Sequence, residues 1–155
     1  MPQISCHIIE VCIFSFDNKE PKYLMLRRSQ TEPIFPDIWQ IVTGSIEHGE
    51  TAVQGALREL KEETGFTPEK FWIVPFVNTF YTVKNDMINH TVIFAAQVPA
   101  KTDPRLSDEH YQFEWCTIDK AKSMCVWPGQ SEALRIVHEY IVGGKKAASV
   151  SEISL

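Results

Sequence analysis

Three carboxylates, Glu59, Glu62 and Glu63, fall within five consecutive residues. Spacings of three and four place them on roughly one face of a helix. Like charges on one face repel, and a helix selected for stability alone would set Lys or Arg among them. A hard divalent cation with oxygen ligands is the simplest way to hold such a group together. Arg58, directly before the first acid, offers a fork of N–H donors that can keep carboxylates in register. The chemistry expected of this stretch is therefore metal-assisted.

The elements that must position these acids are legible around them. Ala52, Val53, Ala56, Leu57 and Leu60 recur at helical spacing and form an apolar stripe. Thr51 followed by Gln54 fits a capping box at the helix start. Gly65 fits the left-handed position just past the end, with Phe66 behind it and Pro68 beyond. The acids are expected off the buried stripe, open to a ligand. Ahead of the helix, Gly44 to Glu50 reads as a loop whose glycines allow the backbone to approach a bound metal or phosphate closely.

Gly44, Glu50, Arg58, Glu59, Leu60, Glu62, Glu63, Gly65 and Phe66 fill every position of the Nudix box over 23 residues, so this stretch resembles the Nudix hydrolase family. The resemblance implies an α/β architecture, the Nudix fold, with a mixed β-sheet sandwiched between α-helices. It implies hydrolysis of a nucleoside diphosphate linked to another group, with Mg2+ as cofactor and Mn2+ as a substitute. Carried over position by position, Glu59 and Glu63 are metal ligands, and Glu62 is a ligand or a helper behind them. The Gly44 carbonyl is a further ligand. Glu50 reaches the metal through water or holds the loop, and Arg58 orients the acids. Many relatives draw an extra ligand or general base from the loop before a late strand. Glu109 is the candidate here, with Asp108 and an acid of the box as alternatives. The catalytic set is thus Glu59, Glu62, Glu109 and Arg58; the metal set is Gly44, Glu59, Glu62 and Glu63.

The 155 residues suffice for one domain with a sizeable core and are few for two. A formal net charge of -5 argues against coating a nucleic-acid duplex, which needs a basic surface, but leaves room for a nucleotide neutralised locally. Cys6, Cys12, Cys116 and Cys125 form no C-x-x-C pair; Cys12 and Cys116 read as buried small hydrophobes. A reducing cytoplasm is the simplest setting, with no signal peptide and no apolar run of membrane-spanning length. No stretch marks an oligomer interface.

In chain order, Ile4 to Phe16 reads as a buried strand, and Tyr23 to Arg28 as its hairpin partner. Arg27 and Arg28 at its end are either surface charges or substrate-phosphate contacts. Ser29 to Asp37 is a loop, and Ile38 to Thr43 a short strand in which Trp39 is core or stacks on a base. Phe71 to Val74 and Phe76 to Val83 make a strand bent at Pro75. Ile88 to Val98 is its neighbour, with Phe80, Tyr81 and Phe94 available to line a base pocket. Tyr111 to Cys116 is a further strand, preceded by His110 as a local hydrogen-bonding residue. Asp119 is placed as cap of a short helix, Lys120 to Met124. Trp127 to Gln130 reads as a turn into a last helix, Ser131 to Val142. The domain is expected to span 1–144, with 145–155 as a loose tail.

Trp39 to Ser45, Leu24 to Arg28, Asp108 to His110, Trp115, Trp127 and Gln130 look like the subgroup acting on dihydroneopterin triphosphate or dATP. That likeness implies a small-molecule phosphoanhydride substrate, a (deoxy)nucleoside or pterin triphosphate cleaved to monophosphate and pyrophosphate. Dinucleoside polyphosphate or nucleotide-sugar hydrolysis is the alternative. A nucleotide-binding sensor is disfavoured by the complete set of box acids, and an isoprenoid diphosphate isomerase by the lack of a Cys near the motif.

Overall fold

The computed structural model describes residues 1–155. Strands β1 (Gln3–Asp17) and β2 (Glu20–Arg28) form the hairpin, followed by β3 (Trp39–Gln40), β4 (Val42–Ser45) and helix α1 (Ala52–Thr64). Then come β5 (Lys70–Thr82), β6 (Met87–Gln97), β7 (His110–Cys116), α2 (Ile118–Met124) and α3 (Pro128–Ile136), with α4 (Lys146–Ser151) and β8 (Glu152–Ile153) at the end. The sheet runs β3-β2-β1-β6-β5-β8, with β4 also on β1 and β7 also on β2. It is mixed, because β1 and β6 are parallel while β1 pairs antiparallel with β2 and β4.

Strand β1 is covered on both faces, which is why Val11 to Phe14 reads as an unbroken apolar run. Its alternation still sorts the two cores. Ile9, Val11 and Ile13 join Leu24, Leu26, Phe71, Phe94, Ala56 and Leu60 on the α1 side. Cys12 and Phe14 join Tyr23, Met25, Trp72, Ala121, Leu134 and Val137 on the side of α2 and α3. Phe94, expected near a base pocket, is instead stacked on Phe71 in the first of these cores, centroids 5.2 Å apart. Burying a side chain such as Leu60 completely contributes about 2 kcal/mol. Cys12 and Cys116 are buried as expected, and all four cysteines are free thiols.

Four sequence expectations are revised. The short strand before the box glycine is broken at Ile41 into β3 and β4. Thr117, rather than Asp119, caps α2, its side chain accepting from the Lys120 N–H. Trp127 to Gln130 is no separate turn: Pro128 is the first residue of α3, where its missing N–H costs nothing, and the helix continues as a π-helical turn over Val137–Val142. The segment 145–155 is not loose. It folds into α4 and then β8, which pairs with Phe71 and Trp72 of β5. Small polar residues hide this docking, because pairing with a neighbouring strand decides it rather than their own periodicity.

Candidate active site

Helix α1 begins and ends as its residues dictate. The Thr51 hydroxyl accepts from the Gln54 N–H at 3.2 Å while the Gln54 side chain accepts from the Thr51 N–H at 2.9 Å. Gly65 takes φ 75°, a left-handed conformation that suits glycine. With both ends fixed, the acids are carried into the space between α1, the loop 44–50 and the end of β2.

Arg58 organises that space. Its Nε donates to Glu50 at 2.8 Å, one terminal nitrogen donates to Glu59 at 2.8 Å and Glu62 at 3.2 Å, and the other to the Ser45 carbonyl at 2.8 Å. Glu50 in turn accepts from the Glu47 N–H, closing the loop on itself. These charge-assisted bonds raise the Arg58 pKa further, so it is permanently a cation. Gly44 is where the strand meets the helix: a Cβ there would overlap the Glu59 carboxyl, so only glycine lets that side chain lie against the backbone.

The three box acids do not share one environment. Glu62 is more than half exposed, with 57% of its side chain accessible. Glu59 is largely covered. Glu63, expected off the buried stripe, is buried at 2% exposure. Neither of its oxygens has a hydrogen-bond partner, and its nearest base is His110, with Nδ1 3.8 Å away. Burial pushes the Glu63 acid well up, and the Glu109 and Glu59 charges add to that while Arg28 opposes it. Burial raises Glu59 too, against the pull of Arg58.

His110 lies at the other side of Glu63. The Gln40 amide donates to its Nε2 at 3.0 Å, which leaves the proton on Nδ1, facing Glu63. Burial and the Arg28 charge lower its pKa to about 4, so it is neutral at ordinary pH. Its role as a local hydrogen-bonding residue fits. Glu109 is exposed, and its charge is felt by both Glu63 and Glu59.

The two arginines at the end of β2 part company. Arg28 lines a cavity of about 640 Å³ and pairs with Glu32 at 3.1 Å, while its charge also acts on Glu63 and His110. Arg27 points elsewhere: Asp37 holds it at 2.9 Å, and it lies between the rings of Trp39 and Tyr111. Neither Arg27 nor Trp39 lines the cavity. Trp39 packs against the core on the α2 and α3 side. Phe80 and Tyr81 do line it, as do Phe35 of the Ser29 to Asp37 loop, Trp127, Gln130 and Glu10, the last of which the sequence did not single out. Phe35 and Trp127 meet edge to face at 4.9 Å. No spacing rule joins these residues; they come from four separate elements. The one hint was a charged residue, Glu10, inside a buried apolar strand.

No three His, Cys, Asp or Glu side chains already converge as a ligand set, since Arg58 gathers Glu50, Glu59 and Glu62 around itself. The donor chemistry nevertheless fits a hard cation. Glu63 presents two buried oxygens without partners, and Glu59 lies against the cradle left by Gly44.

A sequence profile described as NUDIX domain matches residues 7–136, and the chain belongs to that family. Its fold is the Nudix fold. The chain is 53% identical over 55 residues to a dihydroneopterin triphosphate diphosphatase of Escherichia coli, covering 36% of this chain and 33% of that one. It is 30% identical over 134 residues to an octanoyltransferase of Myxococcus xanthus, covering 82% of this chain and 35% of the relative. The matches thus span about a third of the length of these relatives. Among solved structures, an Ap4A hydrolase of Caenorhabditis elegans has a TM-score of 0.72 at 23% identity, covering 88% of this chain and 97% of that one. The Escherichia coli dihydroneopterin triphosphate pyrophosphohydrolase has a TM-score of 0.71 at 25% identity, covering 90% and 99%.

Proposed function

We propose that the protein is a metal-dependent hydrolase that cleaves a (deoxy)nucleoside or pterin triphosphate to the monophosphate and pyrophosphate. One observation carries this reading: a buried carboxylate with two unpartnered oxygens, Glu63, beside an Arg58-ordered group of acids, with Arg28 both acting on Glu63 and lining a cavity of about 640 Å³. The partial identity to the diphosphatase supports the triphosphate as substrate class.

Glu59, Glu62, Glu63 and the Gly44 carbonyl would hold Mg2+, with Mn2+ as a substitute. When bound, such a cation neutralises phosphate oxygens and acidifies a coordinated water. The chain's own residues do the rest. Arg58 keeps Glu50 and Glu59 in place without touching substrate. Arg28, between the acids and the cavity, meets the phosphate chain with a charge already directed there. Glu109 takes the proton of the attacking water, being exposed and close enough for its charge to act on Glu63 and Glu59. Neutral His110 turns its Nδ1 toward Glu63 at 3.8 Å and adds no charge beside that acid.

The test is phosphate release with magnesium from nucleoside triphosphates, dihydroneopterin triphosphate, diadenosine tetraphosphate and ADP-ribose. Each is coupled in turn to inorganic pyrophosphatase or alkaline phosphatase. Signal through pyrophosphatase from a triphosphate is the expected result. Signal only through alkaline phosphatase, from the dinucleotide or ADP-ribose, overturns the substrate and keeps the metal site. The second reading, dinucleoside tetraphosphate hydrolysis, is favoured by the likeness to a Caenorhabditis elegans bis(5'-nucleosyl)-tetraphosphatase, 27% identical with 86% of its length covered.

A further inference from the structure

The cavity has a polar floor that the hydrolytic chemistry does not use. Glu10 projects into it from β1 at 4% exposure, and Gln130 from α3 at 2%. The Gln130 amide donates one N–H to Glu10 at 3.1 Å and the other to the Thr43 hydroxyl at 3.3 Å. Thr43 spends its own proton on the Ile41 carbonyl. The donors of Gln130 and Thr43 are therefore engaged. What remains is one Glu10 oxygen and the Gln130 carbonyl oxygen, both buried and both without a partner. Two such buried orphan acceptors, on residues already joined by a hydrogen bond, are costly unless a ligand supplies N–H groups.

We infer that Glu10 and Gln130 form a ring-recognition subsite selecting the 2-amino-4-oxopyrimidine edge shared by guanine and pterins. This edge presents a ring N–H beside an exocyclic NH2, two neighbouring donors for two neighbouring acceptors. Adenine and cytosine set a ring acceptor beside their NH2, so acceptor would face acceptor. Uracil and thymine offer one N–H flanked by carbonyls. The walls suit a flat ring: Trp127, Phe35 and Phe80 line the cavity above the floor. Burial raises the Glu10 acid to about 7, and a bound donor pair stabilises the ionised form, whose free oxygen accepts.

The inference deepens the triphosphate reading and rests on it for its substrate, but it is tested on binding as well as turnover. The metal-free protein is titrated calorimetrically with neopterin, guanosine monophosphate and adenosine monophosphate. Expected is at least about tenfold tighter binding of the first two than of the third, as for hydrogen bonds to a charged group. Glu10→Gln should erase the preference while melting cooperatively, and Gln130→Met should weaken it, a second route if one variant fails to fold. Equal affinities, no binding of any of the three, or an unchanged preference in both variants overturns the subsite. Turnover of dGTP and dATP is measured in parallel. A binding preference without hydrolysis of any triphosphate sinks the hydrolase reading and leaves the subsite standing. Hydrolysis without a preference does the reverse.

Discussion

Two buried carboxylates, Glu63 and Glu10, sit on opposite sides of the sheet in very different company. Glu63 belongs to a crowd: Glu59 and Glu109 push its acid up, beyond what burial does, and Arg28 pulls it down. Glu10 has no charged neighbour acting on it and one glutamine for a partner, and burial raises it to about 7. Repulsion among several acids calls for a cation, whereas one orphan oxygen beside one orphan carbonyl calls for N–H donors. Burial alone therefore does not tell a metal ligand from a recognition residue; the neighbours do.

The sharpest way to break this comparison is Glu63→Gln. Loss of a buried metal ligand should lower turnover about a thousandfold or more with the fold retained, since a cation supplies several kcal/mol of charge stabilisation. Full activity with a normal melting curve would end the metal-site reading. Glu109→Gln should cost about a hundredfold in kcat, a general-base effect, with little change in substrate binding. Normal turnover would place the base elsewhere.

Arg28→Ala should cost about tenfold or more in kcat/KM, as for loss of one charge-assisted hydrogen bond to phosphate. Arg27→Ala should change it little, because Asp37 and two aromatic rings already engage that side chain. Reversed effects in the steady-state kinetics would mean that the phosphate chain runs along the other face of β2.

The last prediction concerns stability rather than rate. The folded Glu10 acid lies at about 7 against an ordinary 4.5, so the folded state binds more protons between those values. Its contribution is intact below pH 4.5 and is lost as pH rises through 7, a difference of roughly 3 kcal/mol. Glu10→Gln should therefore melt several degrees above the parent at pH 8, with the gap closing toward pH 4.5. Other groups titrate in both proteins and cancel in the difference. A gap that does not vary with pH would mean that Glu10 is not desolvated.

The two regions also differ in how far their sequence announces them. The acid corner comes from one contiguous stretch whose caps, stripe and glycines are local, so its helix was legible from Thr51 to Gly65. What failed was the depth of Glu63: helical spacing gives a face, but the layer that covers it comes from His110 and the end of β2. The ring pocket has no local signature. Glu10 and Gln130 are 120 residues apart in the chain and meet only because α3, packed on β5, brings Gln130 at its start against Glu10 of β1 and Thr43 of β4. Trp39 and Phe80 show the same limit, since both are aromatics in strands and only the fold decides which one faces the cavity. Arg27 and Arg28 were indistinguishable because the irregular register of β7 on β2 between them is a tertiary feature.

Thr43 and Gly44, successive residues of β4, carry a last consequence. Thr43 turns toward Gln130 and the ring pocket, while the place of Gly44's absent side chain is taken by Glu59. One peptide unit thus serves as a gauge block, with the two working surfaces on its opposite sides. A ligand touching both must bend around β4, and its reach is set by the thickness of a single strand. Inserting one residue ahead of Thr43 would exchange the faces and spoil both halves of the gauge at once.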